Sequence, residues 1–155
     1  MKIRLANGLE LNPIMVTGEK RTVKGARRDC LTFVFGDTGL DDIDETFNEA
    51  NCEKITVIDM GTKTVEKEVV DEATEETTTV TETVPCEIEH IYNGYAIRVD
   101  LLKRKEEKKA ATATEDAEYV TRVYVTMAER TYAETQLASL TETVDALVLE
   151  SLMAE

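Results

Sequence analysis

The sequence has no Trp, a single His, two Pro, and aromatics at only 5% of its 155 residues. Val, Ile and Leu must therefore fill any core, and the 42% hydrophobic fraction is enough for one. The length suits one compact domain. Cations are also scarce. Lys and Arg number 18 against 32 Asp and Glu, for a net charge of -14. That balance argues against binding along a nucleic-acid backbone, where phosphates need Lys and Arg, and against an anionic membrane surface. The N-terminus MKIRLANG lacks the apolar region of a signal peptide, and no apolar run approaches a membrane span. Synthesis and folding in the cytoplasm are expected. The cysteines Cys30, Cys52 and Cys86 are odd in number, widely spaced and without C-x-x-C. They read as buried small hydrophobes in a reducing compartment. One disulfide with a spare thiol is the other reading, without a supporting signal.

Catalytic chemistry is missing as well. There is no G-x-S-x-G, no P-loop and no dinucleotide fingerprint. Cys86 and His90 are spaced C-x-x-x-H and would share a strand face, but zinc needs about four ligands and no second Cys/His cluster exists. His90 reads as a half-buried strand residue. Asp41, Asp42, Asp44 and Glu45 read as a solvated helix face, without the glycine and terminal glutamate of a calcium loop. Ala26-Arg27-Arg28 is a small basic cluster that would pair with acids elsewhere, in this chain or a neighbouring copy. The expectation is a non-enzyme with no catalytic, cofactor or metal residues and no cofactor.

What is present is strand texture. Residues 86–102, CEIEHIYNGYAIRVDLL, read as a hairpin about Asn93-Gly94, the pair that best tolerates the positive φ of a type I′ turn. Ile3, Leu5, Asn7-Gly8, Leu9 and Leu11 read as a first hairpin. Residues 14–16 form a short strand ended by Gly18, and Thr22-Val23 begin another interrupted at Gly25. Residues 29–35, DCLTFVF, put Leu31, Phe33 and Phe35 on one face and Cys30 and Val34 on the other. Leu40, Ile43 and Phe47 then mark one face of a short helix, with Asp37, Thr38 or Asp41 as N-cap. Residues 53–60 return to strand. Residues 61–85 read as an acidic β-ribbon, strands 62–70 and 77–84 pairing across 71–76, with a disordered loop as the competing reading. KRKEEKK at 103–109 opens a polar linker running to 117, and residues 118–127 alternate as another strand.

From Ala128 the period is helical. Ala133, Leu137, Leu140, Val144 and Leu147 step by 4, 3, 4 and 3, an a/d seam. The helix either docks on its own domain or meets copies of itself. The wide apolar stripe favours self-association, with Leu137, Leu140, Val144 and Leu147 as the oligomerisation residues. The expected fold is therefore α+β. It comprises a mostly antiparallel β-rich domain at 1–127, with 61–85 as an insertion and 103–117 as a linker, and a coiled-coil-like C-terminal helix at 128–155. Leu5, Ile14, Leu31, Phe33, Phe35, Ile43, Phe47, Ile55, Val57, Ile97, Val99, Val123 and Val125 form the expected core.

The order IRLANGLEL, IMVTG, DCLTFVF, LDDIDETF, KITVI, EHIYNGYAIRVDL and AERTYAETQLASLTETVDALVLESL resembles small tail- or baseplate-associated proteins from tail modules of phages and prophages of Gram-positive bacteria. The likeness covers 1–60, 86–103 and the tail from 127. It departs in the acidic segment 61–85 and the extra strand 118–127. The resemblance implies a structural or assembly role in a multimeric tail, without enzymatic activity. It also implies a homo-oligomer, a trimer being favoured because tails have threefold and sixfold parts, with other tail proteins as partners and neither nucleic acid nor membrane. The location would be the host cytoplasm during assembly, then the virion or a phage-like particle. The alternative is an accessory phage protein, an inhibitor or sponge that binds a host protein or small ligand through the acidic ribbon at 66–89.

Overall fold

A computed structural model describes residues 1–70, 77–110 and 116–153. The turn expected at 71–76 and most of the segment 110–117 lie outside the described residues. The fold is α+β: antiparallel sheets with one short and one long helix. The strands are β1 (Lys2–Arg4), β2 (Glu10–Leu11), β3 (Met15–Val23), β4 (Ala26–Phe35), β5 (Lys54–Val70), β6 (Thr77–Asn93), β7 (Ile97–Lys109) and β8 (Glu118–Ala128). Helix α1 (Leu40–Thr46) follows β4 and helix α2 (Tyr132–Met153) follows β8. Two four-stranded sheets form, ordered β2-β1-β5-β6 and β3-β4-β8-β7. Each is assembled from two hairpins, and the chain changes sheet after every hairpin.

The sheets face one another across a shared core. Ile3, Ile55 and Val57 come from the first sheet, and Leu31, Phe33, Phe35, Val123, Val125 and Met127 from the second. Alternation along β4 and β8 puts these residues on one face, because Leu31↔Met127, Phe33↔Val125 and Phe35↔Val123 lie opposite each other. Helix α1 adds Ile43, and Phe47 follows at its C-cap. The Phe47 ring meets Phe33 at 5.3 Å and Phe35 at 5.8 Å between centroids, spacings at which tilted aromatic pairs attract beyond their buried area.

Residues 86–102, expected to be a hairpin about Asn93-Gly94, are not one. β6 belongs to the first sheet and β7 to the second, so Asn93-Gly94 is a corner between sheets. Gly94 has φ +74°, while Asn93 is not among the positive-φ residues. The Gly94 N–H donates to Glu53 O at 2.8 Å, and its carbonyl accepts from Arg130 N at 2.8 Å. Tyr95 and Ala96 are buried just after it. The two-residue type I′ turn occurs instead at Lys24 (φ +49°) and Gly25 (φ +76°), where both central residues are left-handed and Val23 pairs with Ala26. Gly25 therefore makes the turn rather than interrupting a strand. Gly18 lies within β3 opposite Leu31 and ends nothing.

Other expectations are corrected. Ile14 is 54% exposed, because it lies beyond the last β3–β4 pair, Met15↔Val34, at the open end of the sheet. Ile97 and Val99 are half-buried, and Val99 falls at a register shift between Arg98 and Asp100. Ile3, Cys52, Tyr95 and Met127 join the core unannounced. The α1 N-cap is Gly39 without a side-chain cap, and Asp37 pairs with Lys103 at 2.5 Å instead. Lys103–Lys109, read as linker, is strand, paired from Lys103↔Val123 to Lys109↔Glu118. The helix begins at Tyr132 because β8 continues through Ala128. β5 and β6 pair without a break from Lys54↔Asn93 to Val70↔Thr77, so the ribbon is the outer part of one long hairpin. Its base and that of β7–β8 lie at the Gly94 corner, and both hairpins run away from it. Helix α2 leaves from the corner end.

Candidate interaction surface

Two arginines brace the outer faces of the sandwich. Arg4 on β1 holds Glu10 at 3.1 Å and reaches over β5 to Glu89 on β6 at 3.4 Å. Arg21 on β3 holds Glu19 at 2.6 Å and spans the second sheet to Asp100 on β7 at 2.8 Å. On the strands these arginines cross, some outward-facing residues are nevertheless buried: Ile58 on the first sheet and Cys30 and Thr126 on the second. Each of these ion pairs is partly exposed, so its Coulomb contribution is small.

The chemistry-bearing side chains do not converge. The Cys52 thiol is pushed up to about 12 by burial, and burial also raises Cys30, so neither is a thiolate near neutral pH. All three cysteines are free thiols. His90 is exposed on β6, not half-buried, because its position opposite Val57 lies at the sheet edge. Among the described residues no group of three or more His, Cys, Asp or Glu could hold a metal ion, and no helix is long and apolar enough to cross a membrane.

The most elaborate polar cluster lies at the start of α2. Arg28 is buried, its side chain only 3% exposed. Its Nε donates to Val23 O at 3.0 Å and its Nη1 to Glu129 O at 3.1 Å. Both terminal nitrogens also bind Glu134, Nη2 to Oε1 at 2.8 Å and Nη1 to Oε2. This fork-to-fork geometry suits an arginine held in place. Glu134 Oε2 accepts from Thr131 N at 2.8 Å, and Glu134 N donates back to Thr131 Oγ1 at 3.4 Å. Thr131-x-x-Glu134 is thus a capping box, legible in the sequence but missed there. Arg130 adds Glu53 at 2.7 Å and Glu49. Arg28 of the basic cluster at 26–28 therefore finds its acid in the same chain.

The Arg28 guanidinium, then the Thr131 N–H, hold the Glu134 carboxyl down at about 2, against 4.5 ordinarily. A lowered folded value stabilises the joint above the unfolded value and ceases to do so as pH falls through the folded one. The first turn of α2 should therefore stay closed at pH 5 and lose amide-exchange protection at Thr131, Glu134 and Thr135, whose N–H groups are bonded in the joint, between about pH 4.5 and 2. Glu134→Gln should lose the acid-dependent part of that protection. Unchanged protection down to pH 2 would refute the assignment.

Beyond this joint α2 is bare. None of its residues is buried. The four seam residues, Leu137, Leu140, Val144 and Leu147, are 50–63% exposed, and Val148, Leu149, Leu152 and Met153 are exposed too. An open cleft of about 950 Å³ separates its first turns from Glu49, Ala50 and Glu53. The seam residues thus share one helix stripe, as their spacing requires, and that stripe does not dock on the sandwich. Searches of protein families, curated proteins and solved structures find no match to this chain.

Proposed function

We propose that this chain is a non-enzymatic structural or assembly component of a phage-like tail or baseplate, acting through contacts between copies and with other tail proteins. The observation that carries the assembly part is the uncovered α2 seam on a helix whose start is fixed to the body by Arg28 and Glu134. A contiguous apolar stripe of that length on a charged protein is a contact surface in want of a partner. The sequence layout and its likeness to tail-module proteins support the phage setting. The reading as an inhibitor or sponge draws less support. On the described part of the 66–89 surface, Glu66, Glu68, Glu82 and Glu87 share the hairpin with Lys63 and Lys67, Glu89 is held by Arg4, and Asp71, Glu72, Glu75 and Glu76 lie outside the described residues.

Light scattering on the full chain tests the assembly reading. A mass that is a multiple of 17.3 kDa is expected. A single-chain mass at every concentration, including those of a crowded assembly site, would overturn it.

A further inference from the structure

We infer that the sandwich holds a ligand site between its two sheets, for a small uncharged molecule with an apolar body and one oxygen acceptor. The site goes beyond the assembly reading and does not depend on it.

It lies between β3 and β6, the edge strands of the two sheets. An open cleft of about 360 Å³ enters there, with Val16, Leu31, Val57, Tyr92 and Tyr95 on its walls. Small-molecule pockets span roughly 300–1,000 Å³ and have walls of this apolar and aromatic kind.

Gly18 opens the space. Along β3, Val16, Gly18 and Lys20 pair with Phe33, Leu31 and Asp29, so all three lie on the inner face. Gly18 brings no side chain to that wall. Its φ is not positive, and a Cβ there would meet only Leu31 Cδ2 at 3.8 Å and Cys30 O at 4.0 Å, ordinary contacts. Neither the backbone nor crowding requires glycine here, and glycine weakens a strand. What it leaves is room beside Leu31, as at strand positions that a ligand approaches closely.

Tyr95 gives the space a polar end. It is only 8% exposed, and its ring stands at right angles to Tyr92, 5.6 Å between centroids. Among the described residues its hydroxyl has no hydrogen-bond partner, yet it is not sealed in. Water can serve it in the free protein, and a molecule that displaces that water must bring an acceptor of its own. Burial, then Glu129 and Asp29, push the Tyr95 hydroxyl up to about 12, so it remains a donor at ordinary pH.

Charge selects against ionic ligands. At the mouth Lys20 holds Asp29 at 3.4 Å and Arg21 holds Glu19 at 2.6 Å, so these four charges answer one another. A carboxylate at the Tyr95 hydroxyl would feel Asp29 and Glu129. An ammonium would lose its water among Val16, Leu31 and Val57, with Asp29 already taken by Lys20.

The test titrates the full chain at pH 7 with 2-heptanone, heptanoate and heptylamine, following the methyl signals of Val16, Leu31 and Val57 by NMR. 2-Heptanone should move these signals to saturation. The two ionised probes should bind about tenfold more weakly or worse, since their charge must be stripped of water. Tyr95→Phe keeps the ring and should weaken 2-heptanone about tenfold, the worth of one hydrogen bond. Gly18→Val should abolish binding while the melting temperature holds or rises, because valine favours strand and fills the space. Shifts that never saturate, or that saturate at Leu137 and Leu140 instead, would overturn the site. So would undiminished binding by Tyr95→Phe or by Gly18→Val. Heptanoate or heptylamine binding as tightly as the ketone would overturn the uncharged class.

Discussion

Leu140→Asp combined with Leu147→Asp should reduce the particle to single chains of 17.3 kDa that remain folded, melting lower only by what the assembly contributed. Both leucines are about three-fifths exposed in the single chain, 62% and 59%, so the body loses no contact when they change. In a coil they would be covered. Covering a leucine side chain contributes about 1.5–3 kcal/mol, and a carboxylate in its place must be stripped of water instead. With two such sites on every helix, the loss exceeds what a short coil can spare. The joint lies a full turn or more away and should keep its protection, since Arg28 and Glu134 are untouched. Light scattering and a thermal melt on the same sample separate the effects. A particle that keeps its mass would place the contact elsewhere, with the exposed ribbon of β5 and β6 the next surface to probe.

The second large effect is in the core. Phe33→Ala should destabilise the fold by about 3–5 kcal/mol, a large share of the roughly 5–15 kcal/mol that holds a domain of this size. Phe33 is fully buried, opposite Val16 on one side and Val125 on the other, with the Phe47 ring above it. With no Trp and few aromatics, no larger neighbour can collapse into the space. Urea denaturation followed by circular dichroism should show the midpoint falling sharply or the native baseline disappearing. Phe33→Leu, which keeps much of the volume, should cost less. Equal effects of the two would mean that volume at this site does not matter.

Much of the architecture was legible because it is written in local period. The alternation of Leu31, Phe33 and Phe35 and the helical spacing of Ile43 and Phe47 hold in the structure, and together they fix the α+β class. The seam on α2 was legible for the same reason. What local period could not supply was partnership. Asn93-Gly94 has the composition of a tight turn, yet β6 is already committed to β5 along its whole length and β7 to β8, so the chain turns a corner instead. Lys103–Lys109 looks like linker because its side chains project past the core, and only pairing with β8 makes it a strand. Charged side chains on such a sheet edge discourage unwanted pairing. Arg28 was noticed as a cation, but its acid lies on another element far along the chain. The local sign that was missed, Thr131-x-x-Glu134, would have placed the helix start correctly.

The interleaving of the two sheets dictates the order in which this chain can mature. β1 finds its inner neighbour only in β5, and β4 finds its own only in β8, with Phe33 facing Val125. Hairpins β1–β2 and β3–β4 can close early, but each is half a sheet with an apolar face and an open inner edge, and such pieces are marginal in water. As the chain emerges from the ribosome, Leu31, Phe33 and Phe35 have no lasting cover until β8 has been made. The slow step of folding should therefore be this distant closure, as in other chains dominated by non-local strand pairing. Because α2 follows β8 directly, its joint to Arg28 forms only on a body that can already be complete, so the helix presents its stripe from a fixed start only after the sandwich has closed.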